Sequence, residues 1–233
     1  MSATKTPEEP QRTDTGLHIV MRALLSIIAG LLVADAVKAC VSALTSDGPK
    51  STMLMNAAVA VAGTIFVTRV AADNFLYYAD PDVVTGFDDY LVRVSLILLD
   101  LISYASCYAI VARISVSEKT PILTSAAVRW TITYATAVEL FHAIWCLIAL
   151  CLLHLKTATD RPVREPWLRS WLLVSGVSCA IGLVLTIWAW VALRPGSEPV
   201  SPCVAVGTLV VSMTSAVAYL GIMRRHYIRH RPV

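Results

Sequence analysis

The chain is poor in charge. Only 15% of its 233 residues are Asp, Glu, Lys or Arg, while 57% are hydrophobic, and soluble domains usually carry about 25% charged residues. That argues against a soluble domain and for a polytopic membrane protein. Catalytic signatures are also missing. There is no H-E-x-x-H, no G-x-S-x-G and no glycine loop that would cradle phosphate. No Lys lies late in the chain, where a retinal-binding seventh helix would carry it. The loops are too short to hold a soluble catalytic domain, which leans against an enzyme and leaves a membrane-embedded enzyme or metal site as the weakest reading. The six cysteines include no C-x-x-C pair, which excludes a disulfide framework and leaves them as small apolar fillers of helices. No fixed-period repeat and no three-plus-three inverted repeat is visible. A cleavable secretory leader is not expected either, because the first apolar run is full length and continues past Asp35. Residues 1–19 read instead as a disordered cytoplasmic tail.

What the chain does have is long apolar runs. Six stand out, at about 20–44, 52–75, 90–114, 128–153, 167–193 and 203–223. Each is long enough to cross a hydrocarbon core of about 30 Å at ~1.5 Å per residue. Turn and breaker residues separate them, such as Asp47-Gly48-Pro49, Asp80-Pro81-Asp82 and Arg194-Pro195-Gly196. Short connections make consecutive helices antiparallel neighbours. The expected fold is therefore all-α, a six-helix antiparallel transmembrane bundle over 20–223 with a basic cytoplasmic tail over 224–233.

Loop charges set the orientation. With the N-terminus inside, the inner side carries Lys5, Arg12, Arg22, Lys156, Arg161, Arg164, Arg169, Arg224, Arg225, Arg229 and Arg231. The outer side carries only Lys50, Arg113, Lys119, Arg129 and Arg194. Both termini are expected in the cytoplasm. The inner loop with Asp80, Asp82, Asp88 and Asp89 lacks basic residues, but acidic residues count little in this rule. Trp130, Trp167, Trp171, Trp188 and Trp190, with Tyr77, Tyr78, Tyr90 and Tyr227, fall near span ends and read as an interfacial aromatic belt. Small residues four apart, Gly30 with Ala34, Ala58 with Ala62 and Gly176 with Ala180, mark candidate close approaches between helices. The alanine-rich composition, with 14 Arg against 5 Lys, points to a GC-rich bacterial genome and hence to the inner (plasma) membrane.

The ionisable residues inside the spans carry the functional question. Asp35 and Lys38 lie three apart in the first span, and Arg69 and Asp73 four apart in the second, beside Asn74. Arg93 and Asp100 lie in the third, Glu139 and His142 in the fourth. Asp35 with Lys38 and Arg69 with Asp73 can neutralise each other within one helix. Asp100 and Glu139 have no cation at helical spacing, apart from a protonated His142, and are expected to face one another or Lys38 across the bundle. Two readings follow. In the first, Glu139, His142, Asp100, Asp35 and Lys38 form a central polar cluster that conducts protons or cations, with the Asp80–Asp89 loop as an acidic cytoplasmic mouth. In the second, the chain is a non-catalytic accessory or scaffold subunit, and its intramembrane charges specify helix pairing.

Glu139-x-x-His142 is half of a carboxylate-bridged di-metal motif, which needs two copies. His142 and His154 are on one helix, twelve residues apart, and cannot ligate one haem together. No metal or other cofactor is expected. The expected partners are the lipid bilayer and either further copies of the chain or a membrane partner protein. Nothing beyond the basic tail suggests nucleic acid, and the tail itself reads as a contact for anionic lipid.

Overall fold

The computed structural model describes residues 15–45, 50–79, 90–115, 124–155 and 161–193, together with the single positions 207, 210, 217, 218 and 221. Among these residues the chain is all-helical, with no strand. The helices are α1 (Thr15–Leu44), α2 (Lys50–Ala79), α3 (Tyr90–Ile114), α4 (Ser125–Leu155) and α5 (Arg161–Ala192). All five are long and apolar enough to cross a membrane. The sixth expected span and both expected tails lie almost wholly outside the described residues, as do residues 80–89 with their four aspartates.

The helices run past the apolar cores that define the spans. α4 begins under a Thr124 cap whose Oγ1 accepts a hydrogen bond from Ala127 N at 3.1 Å. α5 starts at Arg161, six residues before the expected 167, and runs through Pro162 and Pro166. Pro162 lies in the first turn, where backbone N–H groups have no intrahelical acceptor. Pro166 is exposed, and Ser170 Oγ donates to its carbonyl at 2.8 Å. Glu165, between them, pairs with Arg169 at 2.6 Å and lies 3.8 Å from His154 at the end of α4.

The main packing partners are α4 with α5, α1 with α2, and α3 with α4. Among the five described spans α2 is the most enclosed, with 61% of its residues buried, and α5 the least, with 17%. α2 is therefore the helix around which polar groups can be hidden. Between lipid-immersed helices no hydrophobic force acts, and close backbone approach through small residues has to supply the attraction. α1 does this with two buried heptad rows, Leu25, Leu32 and Ala39 beside Ala29, Ala36 and Ala43. They meet Ala60 and Val67 of α2 in the main core cluster. Thr64 Oγ1 lies 3.0 Å from Ala36 O across this seam and 2.8 Å from Ala60 O on its own helix. Other hydroxyls, such as those of Ser103, Ser106 and Thr131, bond the carbonyl four residues back, which satisfies them without water.

The close approaches fall at glycines other than those the spacing suggested. Gly30 and Gly176 have open space where a Cβ would go, and Ala34 and Ala180 are exposed. At Gly63 an added Cβ would lie 2.9 Å from Ile114 Cδ1, and at Gly182 it would lie 2.5 Å from Thr136 Oγ1. The third pair does lie in the packing, with Ala62 fully buried and Ala58 against the main core: spacing of four says that two small residues share a face, but not whether that face meets a helix. The aromatic belt is likewise divided. Trp188 and Trp190 are exposed, but Trp171 is 5% exposed in a second core cluster with Trp145 and Leu168. Trp167 and the four tyrosines have side chains outside the described residues.

Candidate functional site: a buried ion pair between the second and fourth helices

Glu139 sits on the buried side of α4, and its partner is Arg69 of α2. The guanidinium Nη2 donates to Glu139 Oε1 in a hydrogen-bonded ion pair between residues 70 positions apart. The two side chains are 3% and 4% exposed. Isolated charges at such depth are costly, on the order of 2.5–3.5 kcal/mol each by insertion scales, so each supplies what the other needs. The guanidinium also lies over the Phe66 ring, 5.2 Å from its centroid, one turn back on α2. Helix periodicity puts Phe66 and Arg69 on one face of α2, and α4 presents Glu139 to that face.

The other candidate residues distribute around this pair unevenly. His142 is half-buried one turn along α4, and its Nε2 has no hydrogen-bond partner among the described residues. Both His142 and the fully buried Cys107 of α3 lie within electrostatic reach of Arg69. Asp100 is buried on α3, 5% exposed. Asp35 and Lys38 are not part of the interior. Both are exposed on α1, on the side away from its Leu25–Ala43 seam. The polar cluster expected from the sequence therefore does not assemble as one group: Asp35 and Lys38 face outward, and the cation at Glu139 is Arg69 instead of Lys38. The side chains of Asp73, Asn74 and Arg93 lie outside the described residues.

Beside the pair is a cavity of about 410 Å³. Ala62 and Gly63 of α2, Ile110 of α3, Thr136 and Glu139 of α4, and Gly182 of α5 line it. Val210 and Ala218 contribute from the expected sixth span. Its walls are almost wholly apolar. Glu139 Oε2 has no hydrogen-bond partner among the described residues. Among the same residues, no group of three or more His, Cys, Asp or Glu side chains could hold a metal ion.

A second cation is buried nearer the start of α4. Arg129 is 8% exposed and stacks on Trp190 of α5, with its Cζ 4.7 Å from the ring centroid. Trp130 meets the same indole edge-on at 5.4 Å, and Trp190 Nε1 donates to Thr133 Oγ1 at 3.2 Å. Sequence reading assigned Arg129 to an outer loop and missed this role. Arg129→Leu removes the cation–π contact and is expected to cost about 1–2 kcal/mol, read as a lowered melting temperature of the purified protein in detergent.

The Arg69–Glu139 pair was also missed, although a signal for it exists. The two residues carry opposite charge, but from the expected span starts at 52 and 128 they lie 17 and 11 residues deep; the structure's span starts, Met53 and Ser125, bring them to 16 and 14. Arg69 with Asp73 is the nearer pairing in sequence, and the Asp73 side chain lies outside the described residues.

Comparison with known proteins adds no relative: no family model, no curated protein and no solved structure matches the chain.

Proposed function

We propose that this chain is a non-catalytic structural subunit of a membrane assembly, with six spans in an antiparallel bundle, both termini in the cytoplasm and the bacterial plasma membrane as its site. Its intramembrane charges act as pairing codes. One code, Arg69 with Glu139, is internal and fixes α2 against α4. The other, Asp35 with Lys38, points outward from α1 and is available to a neighbour.

The observation that carries this reading is the occupancy of Glu139 by Arg69. A carboxylate that passes cations must be free to meet them. Here a guanidinium, which keeps its charge throughout the physiological range, is bound to it and repels any approaching cation. The space beside it is walled by apolar side chains such as Ile110 and Leu185, which do not replace the hydration shell of an ion. Asp35 and Lys38, exposed on α1, do not join Glu139 in the interior.

The test is flux in proteoliposomes. Wild-type protein is expected to pass neither protons nor K⁺ above the rate of empty liposomes under either gradient. Glu139→Gln is expected to lower the yield of folded protein and change nothing else. Flux in the wild type, abolished by Glu139→Gln in a normally assembled preparation, would overturn the reading in favour of conduction.

A further inference from the structure

Asp35 lies near the middle of the span Ala23–Leu44 and is exposed, as is Lys38 one turn on. Among the described residues no ion pair joins them to each other or to any other side chain. Lys38 is six residues from Leu44 and can extend its amine toward the headgroups. The side chain of Asp35 is too short to do the same from mid-span. A carboxylate held against acyl chains is strongly disfavoured, so this face requires a cover.

The residues around the pair show what kind of cover fits. Leu24, Leu31 and Lys38 recur every seven residues, and Asp35 lies three before Lys38, so the four fall in one stripe. Leu24 is 47% exposed and Leu31 64%. The small Ala34 borders the stripe and is also exposed. This is a heptad seam of the kind that α1 already uses, with other residues, against α2.

We infer that the Asp35–Lys38 face of α1 seats the same face of a second copy, related by a two-fold axis along the membrane normal. The chain's topology forces the two α1 helices to run parallel. In parallel knobs-into-holes packing each seam residue inserts among four residues of the facing helix, including those three positions away. Asp35 of each copy then meets Lys38 of the other, and both pairs form at once. The stripe carries one anion and one cation, so it is complementary to itself, as a two-fold interface must be. The inference rests on the structural-subunit reading and names its partner.

The test uses charge reversal in the full chain, purified in nanodiscs or mild detergent. Wild type is expected at twice the 25.2 kDa mass of one chain. Asp35→Lys alone and Lys38→Asp alone each place like charges across the axis and are expected to weaken self-association about tenfold or more. The double exchange Asp35→Lys/Lys38→Asp restores both reciprocal pairs and is expected to restore the dimer. Helicity by circular dichroism checks that each variant is folded, which exposed positions should permit. A dimer insensitive to either single reversal overturns this interface. So does a double exchange that fails to restore what the singles lose, the result a different partner protein would give. A monomeric wild type also overturns it. The structural-subunit reading falls separately, on the appearance of flux.

Discussion

Glu139→Leu, with Arg69 left in place, lowers the stability of the folded protein by about 3–5 kcal/mol. The substitution takes the Glu139 carboxylate away from a guanidinium that is 3% exposed and cannot shed its charge. Arg69→Leu is expected to cost less, because the stranded Glu139 can take up a proton and become neutral. The double variant Arg69→Leu/Glu139→Leu leaves no charge behind and fills the space with apolar atoms, so most of the stability returns. The measurement is thermal or denaturant unfolding in detergent for the four proteins of the cycle. The coupling energy it isolates would sink the idea of an α2–α4 clamp if it came out near zero. Recovery in the double variant would also separate a structural pair from a functional one, since the double variant keeps the fold and loses both partners of the pair.

Gly182→Leu separates α4 from α5. A Cβ at this position lies 2.5 Å from Thr136 Oγ1 and 3.2 Å from Thr136 Cβ and Cγ2, before any of the leucine's remaining atoms are placed. The hydroxyl cannot simply rotate away without loss. It donates to Ile132 O at 2.8 Å and lies 3.1 Å from Thr186 Oγ1, its link to α5. Overpacking of this kind costs about 1–3 kcal/mol. The cost falls toward the upper end here, because α4 and α5 form the most extensive pair among the five described helices and small-residue contact is what holds helices together in lipid. Gly182→Ala is expected to be milder, and Thr136→Ala in the Gly182→Ala background to relieve it by removing the nearest atom. Gly176→Leu is the control: its Cβ meets nothing within 4 Å, so the melting temperature should stay within a degree or two of wild type, about 0.5 kcal/mol. Equal losses at Gly176 and Gly182 would mean that contact with Thr136 does not set the cost, since helix propensity favours leucine over glycine at both positions.

The elements were legible in the sequence because their cause is local. A run of about 20 apolar residues with few charges has one stable form in lipid, since every backbone polar group must be bonded within the segment. The boundaries of α3 fall where the apolar run does, at 90 and 114. The end of α5 also agrees, but its start does not, because Pro162 and Pro166 read as breakers: Pro162 lies in the first turn, which tolerates proline, and Pro166 stands inside the helix. The site was legible as a list of residues and not as a set of contacts. Glu139 stands out from its depth alone. That it meets Arg69 depends on which side of α2 faces α4, and that side is chosen by Ala62, Gly63 and Phe66 packing against their neighbours.

Asp35 and Lys38 make the same point in the opposite sense. Their spacing puts them together on one side of α1, and it is the alanine seam Ala29, Ala36 and Ala43 that turns that side outward. By itself, then, the sequence determined a helical chain built to lie in a membrane and the order of most charges along their spans, because hydropathy and rise per residue act within a segment; Arg129, read as a loop residue, is the exception. The tertiary structure decided the rotation of each helix about its axis. In lipid that rotation is set by close contact among small side chains from different helices, and no single span contains that information.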